Sequence, residues 1–299
     1  MALSYVLITP AHNEEDYMEE TIKSVISQTI PPLKWVIVND GSTDDTEKIV
    51  SRYLKEFQWI RLINVPRRED RHFAAKAHAF NKGLESVRDL EFDLVGNIDA
   101  DISFDPGFFE YLIGKFEEMP ELGVAGTHYL EENFHSFIDS YISANHVNGQ
   151  VQLFRRGCMD ELGGYQPIKS GGVDWVAVTT ARMNGWKTFS FGGKTYFHHR
   201  KMGTAGRNVL KARFHYGKKD YLFGGHPLWQ LFRGGYQMLK PPYVIGGALL
   251  ILGYYWSMAT FVKKPISREL VRFNRKEQMD RLKALLVRKK NDSFRHQEV

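Results

Sequence analysis

The stretch Leu94-Val95-Gly96-Asn97-Ile98-Asp99-Ala100-Asp101 decides how the chain is read. An apolar run ends in two aspartates one residue apart. Successive side chains of a β-strand alternate faces, so Asp99 and Asp101 would point the same way at the mouth of a strand. Two close carboxylates repel, and a hard divalent cation with oxygen ligands would hold them together. Asp-x-Asp is also common in solvated turns, so the weight of the motif depends on its neighbours.

Upstream, Ser4 to Thr9 is a short β-rich run broken by Pro10-Ala11-His12-Asn13, and a helix is expected from about Glu14 to Gln28. Leu33 to Val38 reads as a second strand ending in Asn39-Asp40-Gly41-Ser42. Ser42 or Thr43 would cap the next helix, and Asp44 and Asp45 suit its positive N-terminus. Ile60 to Val65 is a third strand, His72 to Val87 a helix, and Phe92 to Ile98 the fourth strand. Asp105-Pro106 then opens a helix to about Glu118, with the aspartate as its cap. Strands alternating with helices predict a mainly parallel sheet covered on both faces. Ligands of such sheets bind beyond the carboxyl ends of the strands, so the loops at residues 10–13, 40–42 and 99–101 should share one rim.

Downstream the pattern is less regular. Strands are expected at Val124 to His128, Val151 to Arg155 and Thr188 to Phe191, and a helix from Trp175 to Asn184. Gly163-Gly164-Tyr165 and Gly171-Gly172 read as flexible turns around a loop leading to Asp174. His198-His199-Arg200 follows the last strand. From about Tyr221 the chain becomes aromatic and amphipathic, and Pro241 to Val262 carries no charge. That segment is long enough to cross a bilayer as a helix, yet Gly246, Gly247 and Gly253 could bend it, and a surface-lying or re-entrant path fits equally. Basic residues on both sides leave its orientation open.

Twelve Lys and Arg against five acids after Val262 point to an anionic partner. The uncharged segment directly before them favours a membrane surface over nucleic acid. At 299 residues the chain accommodates one large domain and an appendage, read as residues 1–215 and 216–299. Met1-Ala2-Leu3-Ser4 runs straight into strand-like sequence, so no signal peptide is expected. The lone Cys158 suits a reducing compartment.

Thr9-Pro-Ala-His-Asn-Glu14, Val38-Asn-Asp-Gly-Ser-Thr-Asp44, Lys76-Ala-His-Ala-Phe-Asn-Lys-Gly-Leu84 and Asp99-Ala-Asp101 resemble, in order, the motifs of family 2 glycosyltransferases with the GT-A fold. The likeness covers roughly Ser4 to Arg200 and is of the surface-polysaccharide type. It implies a Rossmann-like α/β catalytic domain that takes a sugar from a nucleotide diphosphate sugar, UDP- or GDP-linked, and inverts its anomeric centre. Thr9, Pro10, His12, Asn13 and Glu14 would lie along the nucleotide. Asp40 would bind base or ribose, and Lys76 would sit near the nucleotide. Asp99 and Ala100 would face ribose or sugar, and Asp101 would touch Mn2+ or Mg2+ on the diphosphate.

The resemblance also makes Asp174 the general base, although Val173 replaces the acid usual before it. It brings one histidine of the pair His198 and His199 to the metal without choosing between them. The processive Gln-x-x-Arg-Trp motif is broken at Gln230-Leu-Phe-Arg-Gly234, which argues for single-sugar addition. The acceptor is expected to be a glycan or lipid-linked glycan at the cytoplasmic face of a membrane. The alternative is a polyprenyl phosphate, as in the related dolichyl-phosphate mannose synthases. A dinucleotide-dependent oxidoreductase is disfavoured, because the loop after the first strand lacks the glycine fingerprint. The near-complete carboxylate set speaks against a binding protein without catalysis.

Overall fold

The computed structural model describes residues 3–66, 74–132, 134–136, 143–200 and 209–295. It forms two compact units, Met1–Lys201 and Met202–Val299. The first unit alternates β1 (Tyr5–Ala11), α1 (Met18–Ile26), β2 (Lys34–Asp40), α2 (Thr46–Tyr53), β3 (Ile60–Val65), α3 (Ala74–Glu85) and β4 (Leu94–Ile98). It continues with β5 (Ile102–Phe104), α4 (Phe108–Glu118), β6 (Leu122–Glu131), β7 (Phe134–His135), β8 (Val151–Arg155), α5 (Arg156–Leu162), α6 (Val173–Met183) and β9 (Lys187–His198).

The strands make one mixed sheet in the order β3-β2-β1-β4-β8-β6-β9-β5, with β7 paired to β6. The first four strands of that order are mutually parallel, so the carboxyl ends of β1, β2 and β4 meet on one rim, as the alternation predicts. Beyond β4 the sheet turns antiparallel at β8. The sheet buries apolar runs on both faces: Val6, Leu7 and Ile8 of β1 and Trp35 to Val38 of β2 have no exposed surface. Each fully buried side chain of this kind stabilises the fold by about 1.5–3 kcal/mol.

On one face, α4 contributes Phe108, Phe109, Leu112, Ile113 and Phe116 to the core. On the other, α3 lies close over β1 because Gly83 has no side chain; a Cβ there would come within 2.5 Å of Ile8. This close approach is what brings Lys76, seven residues earlier on the same helix, to the rim.

Several local expectations change. Asp99 to Asp101 is not the end of a strand: β4 stops at Ile98, and the motif forms the turn into β5. Helix α2 starts after Asp45 with Asp44, not Ser42 or Thr43, accepting from Thr46 N at 3.1 Å. Helix α4 is preceded by Gly107 rather than capped by Asp105. The expected helix start at His72 lies outside the described residues. The last strand runs twelve residues to His198 instead of ending at Phe191, because it pairs with β6 along one edge and with β5 along the other.

The second unit is helical: α7 (Val209–Leu222), α8 (Pro227–Gln237), α9 (Tyr243–Ala259) and α10 (Arg268–Arg295). Helix α7 thus stands with the C-terminal helices, and the division falls at Lys201/Met202 rather than at 215/216. No helix among the described residues is long and apolar enough to cross a membrane. The uncharged segment gives a 17-residue helix, about 26 Å long, against a hydrocarbon core of about 30 Å.

Candidate active site

The rim at the ends of β1, β2 and β4 is an open cleft of about 200 Å³. The end of β1 supplies Pro10 and Ala11, the loop after it His12 and Glu14, β2 supplies Asp40, and α3 supplies Lys76 and Ala79. Asp99, Ala100 and Asp101 form its floor, and Arg200 closes one side. Three stretches far apart in the chain therefore converge where the parallel topology requires.

The β1 and β2 loops are tied to each other. Asn13 N donates to Ser42 Oγ at 3.0 Å, Thr43 N to Asn13 Oδ1 at 2.8 Å, and Glu14 N to Thr46 Oγ1 at 2.8 Å. Asn13 reaches this geometry with a left-handed backbone at φ 53°, which asparagine tolerates better than most residues. His12 holds the backbone carbonyl of Asp40 through Nδ1 at 2.7 Å. Asn13 is thus a loop brace and not part of the cleft wall. Thr9 is fully buried, where its hydroxyl accepts from Trp35 Nε1 at 2.9 Å, and it does not reach the cleft either.

Asp99 and Asp101 have different environments. Lys76 Nζ sits 2.5 Å from Asp99 Oδ1 and donates also to the Gly149 carbonyl at 3.1 Å. Burial raises the Asp99 pKa, and the Lys76 charge only partly offsets it. Burial acts on Asp101 in the same direction, but the hydrogen bond and charge of His198, with Arg200 beyond, hold its pKa below the ordinary value. Burial lowers the His198 pKa, yet Asp101 and Glu131 together raise it.

The antiparallel pairing of Ile102 with His198 explains this contact, because it sets β9 alongside the residue after Asp101. His198 Nε2 lies 3.5 Å from Asp101 Oδ2, while Nδ1 meets Glu131 Oε1 at 3.0 Å. His199 faces elsewhere: its ring stacks on Tyr17 and its Nε2 contacts Ser103 Oγ at 3.0 Å. Of the pair, His198 alone brings its ring to the Asp101 carboxylate, while His199 meets that residue through its backbone N–H, which donates to the Asp101 carbonyl at 2.9 Å.

Among the described residues, no cluster of three His, Cys, Asp or Glu side chains could hold an ion unaided. Asp101 and His198 offer one carboxylate oxygen and one imidazole nitrogen, the latter oriented by Glu131. A cation that takes its remaining ligands from water and substrate phosphates fits such a pair.

Asp174 occupies the first turn of α6, two residues after Gly172, which caps the helix in a left-handed conformation at φ 81°. It is not itself the cap. Its side chain packs on Gly149, whose carbonyl receives both Lys76 Nζ and Asn97 Nδ2. The carboxylate consequently adds to the negative field around Lys76, together with Asp99 and Asp101. The turn at Gly163-Gly164-Tyr165 is a structural plug: Tyr165 is buried between Phe80 and Phe154, and its backbone is held by both side-chain groups of Asn81.

Three further residues complete the site without any motif to mark them. Arg200 grips Glu14 at 2.7 Å and approaches Asp101 at 3.9 Å. Glu131 orients His198, and Gly149 separates Asp174 from Asp99. Only Arg200, next to the histidine pair, carried a positional signal in the sequence.

The model of the family described as "Glycosyl transferase family 2" matches residues 6–161. A poly-β-1,6-N-acetyl-D-glucosamine synthase of Staphylococcus epidermidis is 32% identical over 115 residues, 38% of this chain and 25% of the relative. The matched stretch is thus a quarter of that relative's length. Among solved structures, the mannosyltransferase PcManGT of Pyrobaculum calidifontis, in complex with GDP-Man and Mn2+, superposes with a TM-score of 0.59 at 16% identity. That superposition covers 96% of this chain and 81% of PcManGT. S. aureus TarS 1-349 in complex with UDP-GlcNAc gives 0.53 at 13% identity, over 87% of this chain and 73% of TarS 1-349. These likenesses show a shared GT-A-type α/β fold with a mixed sheet flanked by helices. With more than half its length matched by the family model, the chain belongs to glycosyl transferase family 2.

Proposed function

We propose that the chain is an inverting glycosyltransferase acting on a UDP- or GDP-sugar. Its acceptor would be a hydroxyl of a glycan or lipid-linked glycan, at the cytoplasmic face of a membrane, in cell-surface polysaccharide synthesis. The observation that carries this reading is the convergence of Asp40, Lys76, Asp99 and Asp101 on one cleft, with Asp174 one glycine away. Family membership supports the reaction class, and a relative named for making poly-N-acetylglucosamine supports the polysaccharide product. The neighbours in complex with UDP-GlcNAc and GDP-Man support the donor class.

In this reading Asp40 accepts hydrogen bonds from base or ribose. Asp99, fixed by Lys76, accepts from ribose or sugar hydroxyls. Asp101 and His198 would hold Mn2+ or Mg2+, which when bound supplies Lewis-acid stabilisation of charge on the leaving diphosphate. Arg200 and Lys76 add positive charge to the same rim. Asp174 takes the acceptor hydroxyl proton while that oxygen bonds to the anomeric carbon. The carbon–oxygen bond to the diphosphate breaks, and the nucleoside diphosphate leaves with the electron pair. Attack from the face opposite the leaving group inverts the centre. Removing the base should cost about 10²–10⁴-fold in rate.

The test is release of nucleoside diphosphate from a panel of UDP- and GDP-sugars by the purified chain. Release from one donor, stimulated by Mn2+ and abolished by chelator, is expected. Asp101→Asn should lose the metal stimulation. Absence of turnover and of any donor- or metal-induced rise in melting temperature would overturn the reading.

A further inference from the structure

Helices α8 and α9 of the second unit pack antiparallel. Gln230 Nε2 donates to the Leu250 carbonyl at 3.1 Å, Tyr255 reaches the Pro227 carbonyl at 3.2 Å, and Gly234 lies against Ile251. Helix α7 covers another side of α9, with Gly217 against Leu250 and Gly253 against Phe214. These contacts consume one face of each helix.

What remains uncovered is apolar. On α8, Leu228, Leu231, Phe232 and Gly235 follow the i, i+3, i+4, i+7 spacing of one stripe and all are exposed, and Leu239, two residues past the helix, is exposed as well. On α9, Ile245, Ala248, Leu252 and Trp256 form a second exposed stripe on a helix without a single charge. Trp256 is 59% exposed and Phe261, just past the helix, 88%. A water-facing helix ordinarily places polar side chains on such a face, and large exposed apolar patches mark an interaction surface.

The charge of the same unit selects the partner. Residues 209–285 carry fourteen Lys and Arg against four Asp and Glu. One of the four acids, Asp220, is already held by Arg233 at 2.5 Å. Basic residues bracket the stripes in sequence: Lys240 between α8 and α9, and Lys263 and Lys264 after α9. Apolar faces with a tryptophan, framed by cations, fit the headgroup region of an anionic bilayer. An apolar protein partner would not call for this excess of positive charge.

We infer that α8 and α9 lie in the plane of an anionic phospholipid bilayer, with their exposed stripes at the headgroup–acyl boundary and the flanking lysines and arginines on lipid phosphates. The helices rest on the membrane and do not cross it. This specifies the membrane partner of the proposed function but needs no turnover.

The test is flotation of the purified full chain with vesicles of phosphatidylcholine alone or mixed equally with phosphatidylglycerol. Binding at least about tenfold stronger to the anionic vesicles, and weakening with salt, is expected. The variant L231S/F232S/L252S/W256S should lose vesicle binding while keeping its circular dichroism and its donor-induced thermal shift. For a readout independent of that variant's folding, brominated lipid should quench tryptophan emission in the wild type and substantially less in Trp256→Phe.

Absence of vesicle binding, equal binding to both lipids, or unchanged quenching in Trp256→Phe would overturn the inference. So would a lipid-free dimer that the stripe variant dissolves. Because the readouts are lipid binding and fluorescence, failure here leaves the nucleoside diphosphate assay to decide the enzymatic reading separately.

Discussion

Gly149 is where the two halves of the site touch. Its carbonyl receives Lys76, the residue that holds Asp99, while its Cα faces Asp174. A Cβ at this position would stand 2.8 Å from Asp174 Cβ and 3.0 Å from its Cγ and Oδ2. The carboxylate must then move, and misplacement by about 1 Å can cost 10²-fold in rate. Gly149→Ala should therefore lower kcat by that order with little change in donor KM. The Gly149→Ala/Asp174→Asn double variant should be no slower than Asp174→Asn alone, because both changes remove one function. Additive losses measured by single-turnover kinetics would instead assign Gly149 a role apart from the base. Asp174→Asn also separates the acceptor classes. A hydroxyl acceptor should lose about 10²–10⁴-fold, whereas a polyprenyl phosphate is already anionic and should retain appreciable rate.

At the scale of elements, the uncharged segment shows what a sequence conceals. Its length and lack of charge were legible, and its glycines read as points of bending. In the structure two of those glycines, with Gly217 of α7, form a packing seam. A Cβ at Gly217 would lie 2.0 Å from the Leu250 carbonyl oxygen, one at Gly253 2.1 Å from that of Phe214, and one at Gly247 2.3 Å from that of Gly234. Backbone oxygens cannot rotate away, so Gly217→Ala should destabilise the second unit by about 3 kcal/mol, at the upper end of overpacking costs. Gly235→Ala supplies the contrast, because its Cβ would meet nothing within 4 Å. There the gain in helix propensity should stabilise by up to about 1 kcal/mol. Urea unfolding of the two variants, followed by circular dichroism, measures both signs. The strands show the same divide. Val151–Arg155 was visible because local β-propensity and burial agree, and Ile60–Val65 through its apolar, β-prone residues alone, since only Ile60 of that run is buried. The extension of β9 to His198 depends on two partners distant in sequence, and no local pattern announces it.

For the molecule as a whole, the alternation of strands and helices made the rim legible before any coordinates, because it implies parallel strands whose loops share one edge, and the observed order β3-β2-β1-β4 has that arrangement. The contributions of Glu131 and Gly149 were not legible, because each depends on the antiparallel half of the sheet or on the loops that serve it, and Arg200 was marked only by its place beside the histidine pair. One consequence of gathering so many charges on a rim reaches the stability of the whole first unit. Burial, reinforced by the Asp101 and Asp99 carboxylates and opposed by Arg200, raises the pKa of Glu14 from 4.5 to about 7. The folded chain therefore keeps this proton over a range where the unfolded chain releases it. Its contribution to stability is full below about pH 4.5, declines as pH rises, and is lost on passing through 7. The span corresponds to about 3 kcal/mol. Glu14→Gln cannot release a proton, so its unfolding free energy should lack this downward slope between those values. Arg200→Gln removes the opposing cation and should extend the decline to higher pH. Chemical denaturation of the three proteins across the interval decides the matter. If the wild type and Glu14→Gln fall in parallel, Glu14 is ionised throughout and Arg200 fully compensates its burial.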